Sequence, residues 1–222
     1  MIEVTYIDHM GSDLSVVNAA RVSFGKKSEA LGTSGVEGEP MTPILNDPDK
    51  RLIKYLAKHR HMSPFGHAFA SFHVKAPIFV ARQLVKHKFL RWNEISRRYV
   101  DDKPEFYDPD EWRGRADDKK QGSAGAVESV PVGALKVQGY CLAAYQDLLS
   151  SGICPEQARM VLPQSTMTEW HWAGSLDAFA AMCKLRTSGD TQAETQEVAW
   201  AIYREMDKLF PVAWDALMEA AY

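Results

Sequence analysis

The sequence predicts an α+β fold that is rich in helices. Most of the chain carries apolar residues at the spacing of three and four that forms one face of a helix. One stretch differs, because Phe72 and Val74 alternate with His73 and Lys75 as they would on a strand. A length of 222 residues suits one hydrophobic core. We therefore expect residues 1–222 to form a single domain.

The first half of the chain carries start signals for three helices. A helix is predicted over 12–24, because Ser12 is a favourable N-cap. A second is predicted over 47–59, where Asp47-Pro48 supplies a cap and a first turn. Pro77 opens a third helix after the strand. Its expected core face is formed by Phe79, Val80, Leu84 and Val85.

Two polar segments interrupt this pattern. Residues from about 25 to 47 are rich in glycine, and residues 101–129 are rich in Asp, Lys, Gly and Ala. Both segments are predicted to be exposed loops, and either could act as a lid. The charged segment 95–100 between turn formers could be a strand or an extended loop.

Beyond the second polar segment the sequence shows four further helical patterns and a final short one. Thr191 and Glu194 stand in the register of a capping box, which predicts that a helix begins there. The predicted helices span residues 131–150, 155–162, 176–186 and 191–208, and a final short helix begins at Pro211.

The composition excludes several classes of protein. With 26 basic and 29 acidic side chains, the net charge of −3 attracts neither nucleic acid nor a membrane surface. No apolar run approaches the roughly 20 residues needed to cross a bilayer. The first residues, MIEVTYIDHMGSD, lack the basic and apolar regions of a signal peptide. We therefore expect a cytoplasmic protein without a membrane partner.

The cysteines predict neither disulfides nor a zinc site. Cys141, Cys154 and Cys183 are odd in number and contain no C-x-x-C pair. Each lies beside apolar residues in helix-like sequence, which favours a buried structural thiol over a reactive one. No cysteine is assigned a catalytic role.

Other common site signatures are absent from the sequence. The chain contains four histidines between positions 59 and 73, yet no H-E-x-x-H or Cys/His spacing accompanies them. It also lacks the G-x-G-x-x-G fingerprint and the P-loop. We expect no bound metal, and a nucleotide cofactor would need another kind of site.

The segment 82–98 has the most uneven charge in the chain. It contains six Lys and Arg side chains and His87 against one carboxylate, Glu94. On a helix, Gln83, Lys86 and His87 would share a face that could bind a phosphate. Charge alone leaves a solvated surface equally open. Because aromatic residues interleave with the basic ones, a module that binds nucleic acid is the alternative function. The acidic balance of the whole chain weakens that alternative.

The string KHKFLRWNEISRRY, from Lys86 to Tyr99, resembles the signature of the flavin-dependent thymidylate synthases. That signature is R-H-R, seven residues and then Ser, and His87 and Ser96 match its spacing. Five further segments resemble the family and occur in family order. They are AARVSF (19–24), HMSPFGH (61–67), FHVKAPIFVARQ (72–83), ARMVLP (158–163) and LRTSGDTQAE (185–194). Six co-linear segments are specific where one short motif would be weak.

This resemblance implies a fold, an activity and an assembly. The fold would be a small central mixed or antiparallel sheet flanked by helices. The activity would be the reductive methylation of dUMP to dTMP. In it, 5,10-methylenetetrahydrofolate donates the one-carbon unit, and FAD reduced by NADPH donates a hydride. No protein nucleophile is needed, which agrees with the cysteine pattern. The assembly would be a homotetramer with sites where subunits meet.

The resemblance also implies site residues. Arg186 would be catalytic, because its guanidinium would lie against the pyrimidine and favour ionisation at N3. The residues implied for FAD are Ser63, Lys86, His87, Lys88, Glu94 and Ser175. Those implied for dUMP are Gln83, Lys86, Glu94, Ile95, Ser96, Arg97, Arg98, Arg159 and Arg186, of which 94–98 would come from a neighbouring subunit.

The sequence departs from the family pattern at two places. Lys86 and Lys88 replace arginines of the signature, which keeps the charge but loses the planar fork that binds an anion through two hydrogen bonds. The segment 174–177 replaces an Asn-Ala-Arg-Ser-like segment that helps to hold FAD. A protein that keeps the fold but binds FAD too weakly for activity therefore remains an alternative.

Overall fold

The computed structural model describes residues 1–35, 40–117 and 122–220. The helices are α1 (Asp13–Arg21), α2 (Asp47–Lys58), α3 (Ile78–Leu84), α4 (Val132–Ser150), α5 (Pro155–Ala158), α6 (Leu176–Arg186), α7 (Ala193–Leu209) and α8 (Pro211–Glu219). The strands are β1 (Glu3–Met10), β2 (Gly32–Ser34), β3 (Thr42–Ile44), β4 (Phe69–Pro77), β5 (Leu90–Glu94), β6 (Arg113–Arg115), β7 (Ser123–Ala126) and β8 (Met167–Ser175). The predicted α+β class is confirmed.

A four-stranded antiparallel sheet lies at the centre, in the order β1-β4-β8-β5. Strands β4 and β8 pair along their whole length, from Phe69 opposite Ser175 to Pro77 opposite Met167. The expectation of a small central sheet flanked by helices is confirmed in its antiparallel form. Only the middle of β4 was predicted from the sequence, and the strands that pair around it were missed.

One face of the sheet packs against helices and forms the core. Phe72 on β4 and Trp172 on β8 both contact Phe179 of α6, with ring centroids 5.3 and 5.6 Å apart. These aromatic side chains are almost fully buried, and burial of this kind is the main favourable term in folding. The same core receives apolar side chains from α1, α2, α7 and α8. The opposite face carries polar residues such as His73 and His171.

Several predicted element boundaries are wrong for local reasons. Helix α3 ends at Leu84, so Val85 is 48% exposed and does not belong to the core. Helix α5 ends at Ala158 and continues only as a 3-10 turn over Arg159–Val161, which shortens the predicted helix 155–162. The predicted helix 12–24 likewise ends at Arg21, followed by a 3-10 turn.

The predicted capping box at the start of α7 is also wrong. The hydroxyl of Thr191 donates to the backbone oxygen of Leu185 at 3.0 Å, so it belongs to the end of α6. Helix α7 begins at Ala193, and Gln192 occupies the N-cap position. This leaves the carboxylate of Glu194 available for a partner elsewhere in the chain.

Both predicted loops contain short hairpins. Strands β2 and β3 pair within the glycine-rich segment, and β6 and β7 pair within the segment 101–129. The described parts of both segments are otherwise mostly exposed. Residues 36–39 and 118–121 of these predicted loops lie outside the described residues.

The cysteines differ in burial. Cys183 on α6 is fully buried, and burial raises the pKa of its thiol well above the usual range. Cys141 on α4 is partly buried, whereas Cys154 is exposed, so the expectation of a buried thiol is wrong for Cys154. In the part of the chain that the structure describes, no helix combines the length and the apolar character needed to cross a bilayer.

A buried carboxylate joins the two ends of the chain and predicts a pH dependence. Asp13 at the start of α1 accepts hydrogen bonds from the backbone nitrogens of Val212 and Ala213 in α8, at 3.0 and 2.9 Å. Burial raises the pKa of Asp13 from 3.8 to about 6, although the two hydrogen bonds lower it in part. Because the folded-state pKa lies above the unfolded value, this stabilisation is complete below about pH 4. It is lost as the pH rises through about 6.

We therefore expect the free energy of unfolding to contain a component of about 3 kcal/mol that disappears between pH 4 and pH 7. Urea titrations of the wild type and of Asp13→Asn across this range measure it. The variant lacks the titrating carboxyl, while all other groups titrate equally in both proteins. Equal pH slopes in the two proteins would contradict the assignment to Asp13.

Candidate active site

The first half of the basic segment forms a turn instead of a helical face. Helix α3 ends at Leu84, and the backbone nitrogen of His87 donates to the Leu84 oxygen at 3.1 Å. Phe89 adopts a left-handed backbone conformation with φ of 64°, and β5 begins at the next residue. The expectation that Gln83, Lys86 and His87 share one helical face is therefore wrong. The turn leaves the side chains of Lys86 and Lys88 exposed.

Arg186 at the end of α6 joins this turn to the rest of the site. Its Nε donates to Nε2 of His87 at 3.0 Å, and its Nη2 donates to the backbone oxygen of Gln83 at 2.9 Å. A cation is also favourable at the C-terminal end of a helix. Three residues implied by the resemblance, from positions 83, 87 and 186, are thus in direct contact.

The electrostatics of this cluster keep His87 neutral. Burial and, to a smaller extent, the charges of Arg186 and Lys86 together lower the pKa of His87 from 6.5 to about 4. A neutral imidazole offers a lone pair at Nε2, which is what the hydrogen bond from Arg186 requires. Burial also lowers the pKa of Arg186, yet a guanidinium remains charged at neutral pH. The cluster therefore holds a fixed positive charge beside a neutral ring.

A second group of implied residues lines a small cavity between β5, β8 and the 3-10 turn at Arg159. The carboxylate of Glu94 accepts hydrogen bonds from Nε1 of Trp92 at 3.0 Å and from the hydroxyl of Thr168 at 2.7 Å. The cavity, of about 120 Å³, is lined by Ile78, Glu94, Ile95, Arg97, Arg159, Leu162, Thr166, Met167 and Thr168. It brings two guanidinium groups near one carboxylate. Pockets for whole small ligands usually span about 300–1,000 Å³, so this one suits a single group such as a phosphate.

A second cavity lies beside the turn that follows α3. This cavity of about 310 Å³ is lined by Arg60, Met62, His87, Lys88, Phe89, Asp177, Ala178 and Ala181. Its two cations suit phosphate oxygens, its apolar and aromatic walls suit a flat ring, and the Asp177 carboxylate can accept hydrogen bonds from ribose hydroxyls. The donor set therefore fits part of FAD, although the cavity is too small for the whole molecule.

Some implied residues lie outside these two cavities. Ser63 is exposed at the start of the 3-10 turn 63–67, and Ser175 is buried at the N-terminus of α6. Arg98 is exposed and donates to the Tyr99 hydroxyl at 2.7 Å, while the hydroxyl of Ser96 accepts from the Arg98 backbone nitrogen at 3.4 Å. Among the described residues, no hydrogen bond joins any of these four to Arg186.

Several lining residues were not predicted from the sequence. Arg60 and Asp177 line the larger of these two cavities, yet neither belongs to the signature segment. The left-handed backbone of Arg60, with φ of 57°, is a property that its side-chain type does not reveal. Gln192 was also missed, although it lies in a family-like segment. Its side-chain oxygen accepts a hydrogen bond from Nε2 of Gln83 at 2.6 Å.

A further cavity of about 640 Å³ lies beside Gln192. Its walls include Phe79, Tyr107, Trp112, Gln138 and Glu194. One edge is fixed by the ion pair between Nη2 of Arg113 and Oε1 of Glu194, at 2.5 Å. Across the described residues, no group of three or more His, Cys, Asp and Glu side chains could hold a metal ion. That the protein binds no metal stays a prediction.

Comparison with known proteins agrees with this geometry. The family model described as thymidylate synthase complementing protein matches residues 5–212. A flavin-dependent thymidylate synthase of Thermus thermophilus is 42% identical over 218 residues, which cover 97% of this chain and 75% of the relative. The corresponding protein of Thermosipho africanus is 36% identical over 228 residues, covering 97% of this chain and 90% of the relative.

A solved structure has the same fold. The UMP/dUMP methylase PolB from Streptomyces cacaoi, bound with 5-Br dUMP, superimposes with a TM-score of 0.81 at 32% sequence identity. The match covers 99% of this chain and 96% of that structure. Similarity thus extends over nearly the whole length in both sequence and fold. The chain belongs to the family of flavin-dependent thymidylate synthases.

Proposed function

We propose that this protein is a flavin-dependent thymidylate synthase that methylates dUMP to dTMP. The observation that carries the proposal is the contact of Arg186 with His87 and Gln83, because three family-like segments meet there. The named activity of the relatives and the dUMP analogue bound to PolB support the same substrate.

Arg186 is the proposed catalytic residue. Methylation of uracil requires negative charge to develop on the ring, and a permanent cation stabilises that charge without giving up its proton. Among the described residues, two of the five N–H groups of the guanidinium have partners, which leaves three for a ligand. The contacts with His87 and Gln83 orient the guanidinium in advance, which lowers the cost of binding the charged ring.

The proposed dUMP site combines residues that line the small cavity with Gln83 and Arg186. Arg97 and Arg159 line the small cavity and provide cations for the phosphate, while Glu94 provides an acceptor. The full proposed set is Gln83, Lys86, Glu94, Ile95, Ser96, Arg97, Arg98, Arg159 and Arg186. Residues 94–98 are proposed to serve the site of a neighbouring subunit.

The proposed FAD site lies around the turn after α3. Lys86 and Lys88 offer exposed charges for the diphosphate, and neutral His87 offers a ring that can hydrogen-bond with the cofactor. Ser63, Glu94 and Ser175 complete the proposed set. When bound, FAD supplies the hydride chemistry, and NADPH and 5,10-methylenetetrahydrofolate are the proposed reductant and one-carbon donor.

A homotetramer with sites at the subunit interfaces is part of the proposal. The cavity of about 120 Å³ suits only one group of a nucleotide, and the cavity of about 310 Å³ suits only part of FAD, so further walls are needed. The first half of α4 also exposes large apolar side chains, with Val132, Leu135 and Tyr140 between 60 and 69% exposed. Exposed apolar groups of this kind favour burial against another subunit. A cytoplasmic location, a single domain over 1–222, and the absence of nucleic-acid and membrane partners stay predictions.

The lysines of the signature lead to a test of the FAD site. A guanidinium forms two parallel hydrogen bonds with a phosphate where an ammonium acts as a point charge. We therefore expect the double variant Lys86→Arg, Lys88→Arg to bind FAD about three- to tenfold more tightly, as measured by quenching of flavin fluorescence. Lys50→Arg on α2 is the matched control and should bind FAD as the wild type does. Equal or weaker binding by the double variant would contradict the proposed role of the two lysines.

The reaction itself is tested by product analysis. Purified protein is incubated with dUMP, FAD, NADPH and 5,10-methylenetetrahydrofolate, and dTMP is measured by chromatography. We expect dTMP only when all four are present. UMP is tested in place of dUMP because PolB is a UMP/dUMP methylase. Salt-sensitive binding of DNA without flavin, and no dTMP, would support the nucleic-acid alternative instead.

A further inference from the structure

Gln192 connects α7 to the proposed dUMP site. Its Oε1 accepts a hydrogen bond of 2.6 Å from Nε2 of Gln83, 109 residues earlier in the chain. Both side chains are partly buried. Gln83 is held a second time, because its backbone oxygen accepts the hydrogen bond from Arg186. Gln192, Gln83, Arg186 and His87 thus form one continuous hydrogen-bonded chain.

The side chain of Gln192 does not cap the helix that begins beside it. It is the N-cap residue of α7, where Ser, Thr, Asp or Asn would satisfy the first backbone N–H groups. The side chain of Gln192 makes no capping hydrogen bond, and only its backbone oxygen accepts from Thr195 and Gln196. A residue type that is unfavourable for its local structure, but whose side chain is hydrogen-bonded to a distant site, often contributes to function at that site.

We propose that Gln192 is a positioning residue for dUMP, which holds the side-chain amide of Gln83 in the orientation that binds the nucleotide. This inference rests on the proposed function, because Gln83 is a proposed dUMP residue. Without Gln192, the amide of Gln83 rotates freely, and ordering it upon binding costs affinity. Gln192 itself need not touch the nucleotide.

Variants of Gln192 are expected to differ in their affinity for dUMP. Gln192→Ala removes the acceptor, and loss of one hydrogen bond of this kind predicts a roughly three- to tenfold rise in the Kd for dUMP. Gln192→Glu retains an acceptor for Nε2 of Gln83, so it should bind dUMP nearly as the wild type does. Gln196→Ala is the matched control, because Gln196 lies one turn further along α7 and donates to the backbone oxygen of Thr191.

A positioning role is distinguished from a structural one by three further readouts. The Kd for FAD and the melting temperature should be unchanged in Gln192→Ala, because the lost contact lies on the dUMP side. Combining Gln192→Ala with Gln83→Ala should weaken dUMP binding no more than Gln83→Ala alone, since the two residues act as one unit.

The experiment is a calorimetric titration of the FAD-loaded proteins with dUMP. Wild-type affinity in Gln192→Ala, or additive effects in the double variant, would overturn the inference and leave the proposed function intact. Equal losses of dUMP binding, FAD binding and melting temperature would also overturn it, in favour of a purely structural role. A wild-type protein that binds no dUMP would overturn the proposed function and the inference with it.

Discussion

Replacement of Arg186 by alanine is expected to lower dTMP formation at least about a thousandfold while FAD stays bound. Removal of a single donor that stabilises a developing anion costs about 10²–10³ in rate, and here the whole fixed cation is lost. The substitution also removes the hydrogen bonds to His87 and Gln83, which order the site. Rates of dTMP formation and the flavin spectrum of the purified variant measure the two effects separately.

Two variants make this result interpretable. Arg186→Lys keeps a positive charge but cannot reach both partners, so an activity well below wild type is expected. Arg204→Ala removes an exposed arginine of α7, twelve residues beyond Gln192 and thus about 18 Å along the helix, and should be neutral. Turnover near the wild-type rate in Arg186→Ala would refute the catalytic role of Arg186.

Replacement of Arg113 by alanine is expected to destabilise the fold by about 3–5 kcal/mol. The Arg113 guanidinium pairs with Oε1 of Glu194, whose side chain is only 6% exposed. Without Arg113, a buried carboxylate loses its charged partner among the described residues, and the cost of keeping it out of water is no longer offset. Urea unfolding measured by circular dichroism gives the change in the free energy of unfolding.

Arg115 on the same strand provides the control for the Arg113 substitution. Arg115 also lies on β6 but is exposed, so Arg115→Ala should change stability by no more than about 0.5 kcal/mol. Adding Glu194→Gln to Arg113→Ala should restore part of the lost stability, because an amide is less costly to bury than a carboxylate. Equal changes in the free energy of unfolding for Arg113→Ala and Arg115→Ala would contradict a specific contribution of the buried ion pair to stability.

The helices were predictable because their signals are local. Prolines at positions 48, 155 and 211 stand in the first turn of α2, α5 and α8, where a missing N–H has no cost. The strands depend instead on which face is covered by distant residues. In β8, Trp170 and Trp172 are buried and His171 is exposed, so the aromatic alternation typical of a strand was present in the sequence and was overlooked.

The site residues could be predicted only where they lie in a short segment that resembles the family. The family-like segments contain Gln83, His87 and Arg186, and the fold brings these three into contact. The position of the end of α3 could not be derived from the apolar pattern, which is why a helical face was expected for Lys86 and His87. Arg60 and Asp177 approach the turn through tertiary packing alone, and no local pattern marks them.

Anaerobic reoxidation of the reduced flavin is the decisive test of dUMP methylation by this protein. Protein loaded with FAD is reduced, and the visible flavin band is followed after addition of dUMP, 5,10-methylenetetrahydrofolate or both. The oxidised band is expected to return only when both are present, with dTMP formed in proportion. A protein that binds no FAD at any concentration, or a flavin whose reoxidation is independent of dUMP, would contradict the proposed function.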